Sequence, residues 1–288
     1  MNHHPFDRSG LAALSDLTTQ AHRELFEILD KAQFEFLSKQ EFFRSPEYVW
    51  PRDPLHTWSR FWEYPYVYHH LKKWRSGLNT ERLPIVADIG SGVTFFPFQV
   101  AKIGCHVICA DPDPVCEKDL NRAKLHLPQD PGQVDFRRIH DTRLGFENQE
   151  CDAVYCISVL EHIEDFGITI REIARILKPG GIFLLTIDLD LQGNSEISVE
   201  RYPALMDAIF KSFDYRFPDS TIHPGDILDS RKGPYALFEE DGWERRWNLI
   251  KQELIKPLLG LKPGFSVPLH LAVQGFSLQR LPVLDSVP

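Results

Sequence analysis

The chain has 288 residues, 43% hydrophobic and 25% charged, enough to bury a substantial core as one large domain or one domain with an elaborated cap. Its net charge of -9 argues against a general nucleic-acid binder, since basic residues form only short clusters such as Arg137-Arg138 and Arg245-Arg246. No apolar run approaches the roughly 20 residues needed to span a bilayer, and the opening MNHHPFDRSG lacks the apolar core of a signal peptide.

A cytoplasmic protein is therefore expected. The five cysteines, Cys105, Cys109, Cys116, Cys151 and Cys156, form no C-x-x-C pair and read as buried, reduced thiols.

Residues 1–80 form the first organisational unit. Apolar residues at helical spacing from Leu14 through Leu25, Leu29 and Phe36 predict one or two amphipathic helices over 11–38. A turn-rich link follows, from Glu47 to Pro54. Leu55 to Tyr66 then concentrates aromatic and imidazole side chains, and a further helix is predicted over 65–74. Two readings of this aromatic belt stand side by side. It either glues an N-terminal extension onto the rest of the protein, or lids a ligand pocket.

Ile85 to Pro114 is the organising stretch. The apolar run Ile85-Val86-Ala87 leads to Asp88-Ile89-Gly90-Ser91-Gly92, which reads as a buried parallel strand entering a glycine turn. A short helix follows, and Cys105 to Ala110 reads as a second strand ending at Asp111. Strand, glycine turn, helix, strand, acid is one half of a doubly wound nucleotide-binding fold. The acid can accept hydrogen bonds from both ribose hydroxyls of an adenosine. Dinucleotide enzymes use such an acid as well, but their third glycine is replaced here by Phe95. That replacement, and Asp88 before the turn, suit a cofactor with an amino acid tail better than a pyrophosphate.

VADIGSG followed by VICADPDP resembles the glycine motif and second-strand acid of class I S-adenosylmethionine-dependent methyltransferases. The loop is a variant, with Thr94 where a third glycine is commonest and Pro97 at the start of the helix. Two later stretches extend the resemblance. Cys151 to Ser158 is an acid-then-apolar fourth strand running into Leu160-Glu161-His162, and Arg175 to Ile182 (RILKPGGI) closes a helix over 168–177 and opens a fifth strand over 182–187. The whole resembles the small-molecule type, with a methyltransferase type 11/25-like core over residues 84–189.

The resemblance implies an α/β fold: a Rossmann-like, doubly wound, seven-stranded sheet with helices on both faces. To this it adds a helical cap over 1–80 and a substrate-shaping insertion over about 190–265 of the 81–288 domain. It implies S-adenosyl-L-methionine held by Asp88, Gly90, Ser91, Gly92, Asp111 and Pro112, with Asp141 after the third strand (134–139) toward the adenine and Ser158 at the reaction site. Arg60-Phe61-Trp62-Glu63-Tyr64-Pro65 is similar to caps of this group, so Arg60 and Tyr64 join the cofactor candidates, Arg60 as partner of its carboxylate. His162 is the candidate proton acceptor, or else a packing residue.

No metal is expected. Asp188, Asp190 and Asn194 read as a polar strand-end loop rather than an oxygen-rich metal site. Farther on, helices are predicted over 199–213 and 235–259, a polar loop over 218–233, and a terminal strand pair or hairpin element over 268–280. The expected activity is methyl transfer to oxygen or nitrogen of a small-molecule acceptor, with carbon acceptors left open. The alternatives are a non-catalytic S-adenosylmethionine-binding regulator, an RNA or protein methyltransferase, and, disfavoured by Phe95, a nicotinamide dehydrogenase.

Overall fold

The computed structural model describes residues 4–140, 143–192, 197–236 and 270–282. Its strands are β1 (Gly10–Leu11), β2 (Ile85–Ile89), β3 (His106–Asp111), β4 (Gln133–Arg138), β5 (Cys151–Ile157), β6 (Leu177–Asp190), β7 (Ile197–Ser198), β8 (Phe213–Tyr215) and β9 (Leu271–Arg280). The α-helices are α1 (Gln20–Ser38), α2 (Arg60–Ser76), α3 (Phe96–Ala101), α4 (Pro114–Ala123), α5 (Phe166–Ile176) and α6 (Tyr202–Phe210).

One sheet carries the fold. The order along it is β1-β9-β6-β5-β2-β3-β4, with β7 against β6 and β8 against β9. Seven strands lie on that path, the number expected, but one of them, β1, comes from the 1–80 region read as wholly helical, and two further short strands are added. Strands β2 to β6 run parallel, while β9 is antiparallel to β6, β1 and β8. From β2 the order proceeds one way to β3 and the other way to β5, so the crevice between the ends of β2 and β5 is the topological switch point, where open parallel sheets bind ligands.

Three expectations need correction. The Lys178-Pro179-Gly180-Gly181 turn lies inside β6, absorbed as an irregularity in the register between Cys151↔Leu177 and Ala153↔Ile182. The terminal segment is one long strand, β9, rather than a pair. Its neighbours are β6 and the short N-terminal and central strands, partners that an alternating sequence pattern cannot name.

The third correction concerns α2, which begins at Arg60, not near residue 65. Pro65 sits in the helix interior, where it has no N–H to give to the Phe61 carbonyl. The His22 ring on α1 covers that carbonyl instead, Nε2 to O at 3.0 Å. The helix is thus continuous across its proline because a neighbouring helix supplies the missing donor.

Nearly every side of α2 is buried between Phe61 and Leu71, as expected of a helix enclosed by other elements. Trp62 stacks on Tyr66 with ring centroids 4.7 Å apart, and the pair lies against β9 at Gly275. A Cβ at Gly275 would come within 2.7 Å of Tyr66 and 3.0 Å of Trp62. The Trp62 indole also donates to Asp16 at 2.8 Å. One continuous apolar cluster joins α1, α2 and the sheet. The five cysteines are free and buried, and no helix of the described residues is long and apolar enough to cross a membrane.

Candidate active site

The loop after β2 is held from three sides. Gly90 and Gly92 both have positive φ, 71° and 52°, which glycine adopts without steric cost. The Gly90 N–H donates to Ala110 O at 2.8 Å, the Gly92 N–H to Asp111 Oδ2 at 3.0 Å, and the Val93 N–H to the Tyr48 hydroxyl at 3.1 Å. A Cβ at Gly90 would meet Val159 at 2.6 Å, so this glycine also allows the loops after β2 and β5 to close on one another. Tyr48 is itself fixed by Arg44, whose guanidinium lies 4.0 Å from the centre of its ring and donates to Val93 O at 3.1 Å.

Asp111 ends β3 and is 8% exposed. Its second oxygen accepts the Asp113 N–H at 2.9 Å. The Cys116 thiol also bonds this carboxylate, and with two acceptor sites on each oxygen room remains for a ligand hydroxyl. Burial raises the Asp111 pKa, and the Asp113 and Gly92 N–H groups oppose that rise. Asp88, 5% exposed on β2, has its pKa pushed up to about 8, by burial first and by the charge of Asp111 in addition.

Over the crevice lies a buried polar knot. Arg60 donates to Glu63 Oε2 at 2.5 Å, to the Ser59 hydroxyl at 3.0 Å, and to the Ser158 hydroxyl. Ser158 donates in turn to Glu63 Oε1 at 2.7 Å. Ser59 and Ser158 both occupy left-handed backbone, φ 64° and 46°, a conformation that costs a non-glycine residue free energy and that clusters at functional sites. Burial works against the charge on Arg60, but Glu63 and Asp188 outweigh it and its pKa is raised. Glu161 accepts the Asp188 N–H at 3.1 Å. Burial, with Asp188 alongside, holds the Glu161 carboxyl well above the usual range.

Between the loops and this knot is a cavity of about 540 Å³, within the range of small-molecule sites. Gly90, Ser91, Gly92, Asp111 and Pro112 line it from the strand ends, together with Ser158, His162 and Asp188. Arg60, Tyr64, Trp50 and Trp58 line it from the N-terminal region, Arg60 meeting Ser158 across the knot.

Residues 87–185 match a family model described as a methyltransferase domain. This segment is a class I methyltransferase domain. Over 105 residues the chain is 37% identical to a ubiquinone biosynthesis O-methyltransferase of Dechloromonas aromatica, covering 36% of this chain and 44% of that protein. The corresponding enzyme of Nitrosomonas europaea is 35% identical over 105 residues, covering 36% and 43%. The chain thus matches less than half the length of these curated relatives. Among solved structures, the [4+2]-cyclase SpnF superposes with a TM-score of 0.52 at 16% identity, over 96% of this chain and all of that one. That likeness concerns the fold alone.

The methyltransferase domain and the N-terminal region together gather most of the sequence candidates at one cavity: Gly90, Ser91, Gly92, Asp111, Pro112, Ser158, His162, Arg60 and Tyr64 all line it. Asp88 does not, and sits beneath the loop. Asp141 and Asn194 lie outside the described residues, as do 193–196 and 237–265 of the 190–265 insertion, including nearly all of the helix predicted over 235–259. His162 is exposed in the short turn Leu160–His162. The aromatic belt divides its work: Trp62 and Tyr66 pack on β9, while Trp58 and Tyr64 face the cavity.

Sequence reasoning missed Tyr48, Glu63 and Asp188 as parts of this site. Glu63 carried a usable signal, because three residues after an arginine on one helix is ion-pair spacing. It was hidden by starting the helix at the proline. Tyr48 carried none, since its partner Val93 is 45 residues away.

Proposed function

We propose that this protein is an S-adenosylmethionine-dependent methyltransferase acting on oxygen or nitrogen of a small molecule, with residues 1–80 as the cap of the site. The observation that carries this reading is the cavity at the switch point. A tied glycine loop and a buried acid form its floor, and an arginine with its own counter-charge forms its roof. The residues fit the cofactor. Asp111 retains acceptor capacity for a ribose hydroxyl, the glycine loop permits close backbone approach, and the guanidinium of Arg60 suits a carboxylate. Asp88 supports the loop from below, and Asp141 is proposed toward the adenine.

The cofactor supplies an already electrophilic methyl group. The protein's part is therefore to align the acceptor, exclude water and, for a hydroxyl or ammonium acceptor, take up a proton. His162 and Ser158 border the space where an acceptor would sit, and His162 is proposed as the proton acceptor. The walls beyond, with Trp50 and Trp58, suit a planar, largely apolar acceptor. The names of the relatives favour oxygen as the atom methylated. A cytoplasmic location accords with this reading.

Isothermal calorimetry with S-adenosylmethionine and with NAD tests the cofactor class. Micromolar binding of the first and none of the second is expected, and the reverse overturns the proposal. Transfer of a radiolabelled methyl group to a panel of phenols and amines then tests catalysis.

A further inference from the structure

A second cluster of ligand-type side chains lies on the other end of α2, away from the crevice. Asp7, His69 and His70 each offer one ligand atom, and these atoms lie within 4.8 Å of one another. His69 Nε2 is 2.9 Å from Asp7 Oδ1. His70 is fully buried, yet among the described residues neither of its ring nitrogens has a hydrogen-bond partner. A buried polar group left unpaired is costly and calls for an explanation.

We propose that Asp7, His69 and His70 form a site for a divalent metal ion of the zinc class. Two imidazoles and one carboxylate are a donor set that zinc accepts, with metal–ligand distances near 2.0–2.2 Å. Ligand atoms around such an ion stand about 3.3 Å apart, so the 2.9 Å Asp7–His69 contact opens only slightly to admit it and the His70 ring moves the most. A solvent molecule completes four-coordination. His4, Asp7 and His69 line a cleft of about 490 Å³ that gives an ion a way in.

Lys73 bonds the other Asp7 oxygen at 2.7 Å. Its side chain is 46% exposed, so it can stay on that oxygen or swing to water. His4 stacks on His69 with ring centroids 3.7 Å apart, which braces that ring without adding a ligand. Such an ion would tie the N-terminal segment to α2, the helix whose first turn carries Arg60, Glu63 and Tyr64.

The test uses the full chain without an affinity tag, stripped by a chelator and then titrated with ZnCl2, with CoCl2 as a spectroscopic substitute. One equivalent of zinc should bind at micromolar or lower concentration and raise the melting temperature by about 5 °C at large excess. Cobalt should give visible absorption bands. Asp7→Asn and His69→Gln, both at partly exposed positions, should each weaken binding at least tenfold. His4→Ala should retain the one-to-one stoichiometry, which separates this site from chelation by the chain's first residues. Absence of binding, or binding indifferent to both Asp7→Asn and His69→Gln, overturns the assignment. Because no readout involves the methyl donor, this result stands or falls apart from the proposed activity.

Discussion

Removing the Arg60 side chain separates its two roles. Glu63 is fully buried and accepts from two donors, Arg60 at 2.5 Å and Ser158 at 2.7 Å. In Arg60→Ala it keeps only the serine, with the acidic Glu161 and Asp188 close by. Stranding one partner of a buried ion pair costs about 3–5 kcal/mol. The Arg60 side chain is 24% exposed to the cavity, so water can partly replace it, and about 2–4 kcal/mol is the expected loss. For a chain of this size that is a fall in melting temperature of roughly 5–15 °C.

Glu63→Gln removes the stranded charge and keeps the shape, so the double variant Arg60→Ala, Glu63→Gln should recover most of that stability. It should not recover cofactor affinity, expected to fall at least tenfold in both variants. Urea denaturation and calorimetry with S-adenosylmethionine read the two effects separately. If Arg60→Ala melts within about 1 °C of the parent, the buried-pair reasoning is refuted. If the stable double variant binds the cofactor as the parent does, Arg60 is a scaffold residue only.

Asp111→Ala removes the acceptor of the Gly92 and Asp113 N–H groups as well as the proposed ribose contact, and should weaken S-adenosylmethionine binding tenfold or more. Calorimetric affinity within twofold of the parent would take Asp111 out of the site. Asp88 has a folded-state pKa of about 8 against 3.8 for an unperturbed aspartate. Between these values the unfolded chain holds fewer protons than the folded one, so this residue makes stability fall as pH rises from about 4 to 8. Asp88→Asn should flatten that slope and gain on the parent by up to a few kcal/mol near pH 8, and urea midpoints that stay parallel from pH 5 to pH 8 would contradict the assignment. Gly275→Ala pushes a methyl group into Tyr66 and Trp62 and should cost about 1–3 kcal/mol; an unchanged melting temperature would show that α2 can shift off β9.

The parallel core was legible in the sequence because its signals are local. A buried strand reads as an apolar run, a turn that needs positive φ reads as glycine, and both occur together at Val86 to Gly92. Asp111 could be named in advance because its distance from the glycine loop along the chain is set by one helix and one strand. The same locality misled where a residue's role depended on a distant partner. Pro65 looked like a helix start because the His22 ring that rescues the Phe61 carbonyl is 39 residues away. β9 looked like half a hairpin because its long partner, β6, lies some 90 residues earlier.

What the chain's local pattern determined was therefore the strand–turn–helix core with its glycine loop and acid, which depends on backbone conformation and burial over a few residues at a time. What only the tertiary structure decided was the roof of the cavity. The Arg60–Glu63–Ser158 knot of that roof, the Tyr48 hydroxyl on the glycine loop at Val93 and the seating of Trp62 and Tyr66 against Gly275 each require groups far apart in sequence to meet. A buried charge or hydroxyl can be placed only where the fold brings its partner, and residue spacing along the chain does not encode that partner's position.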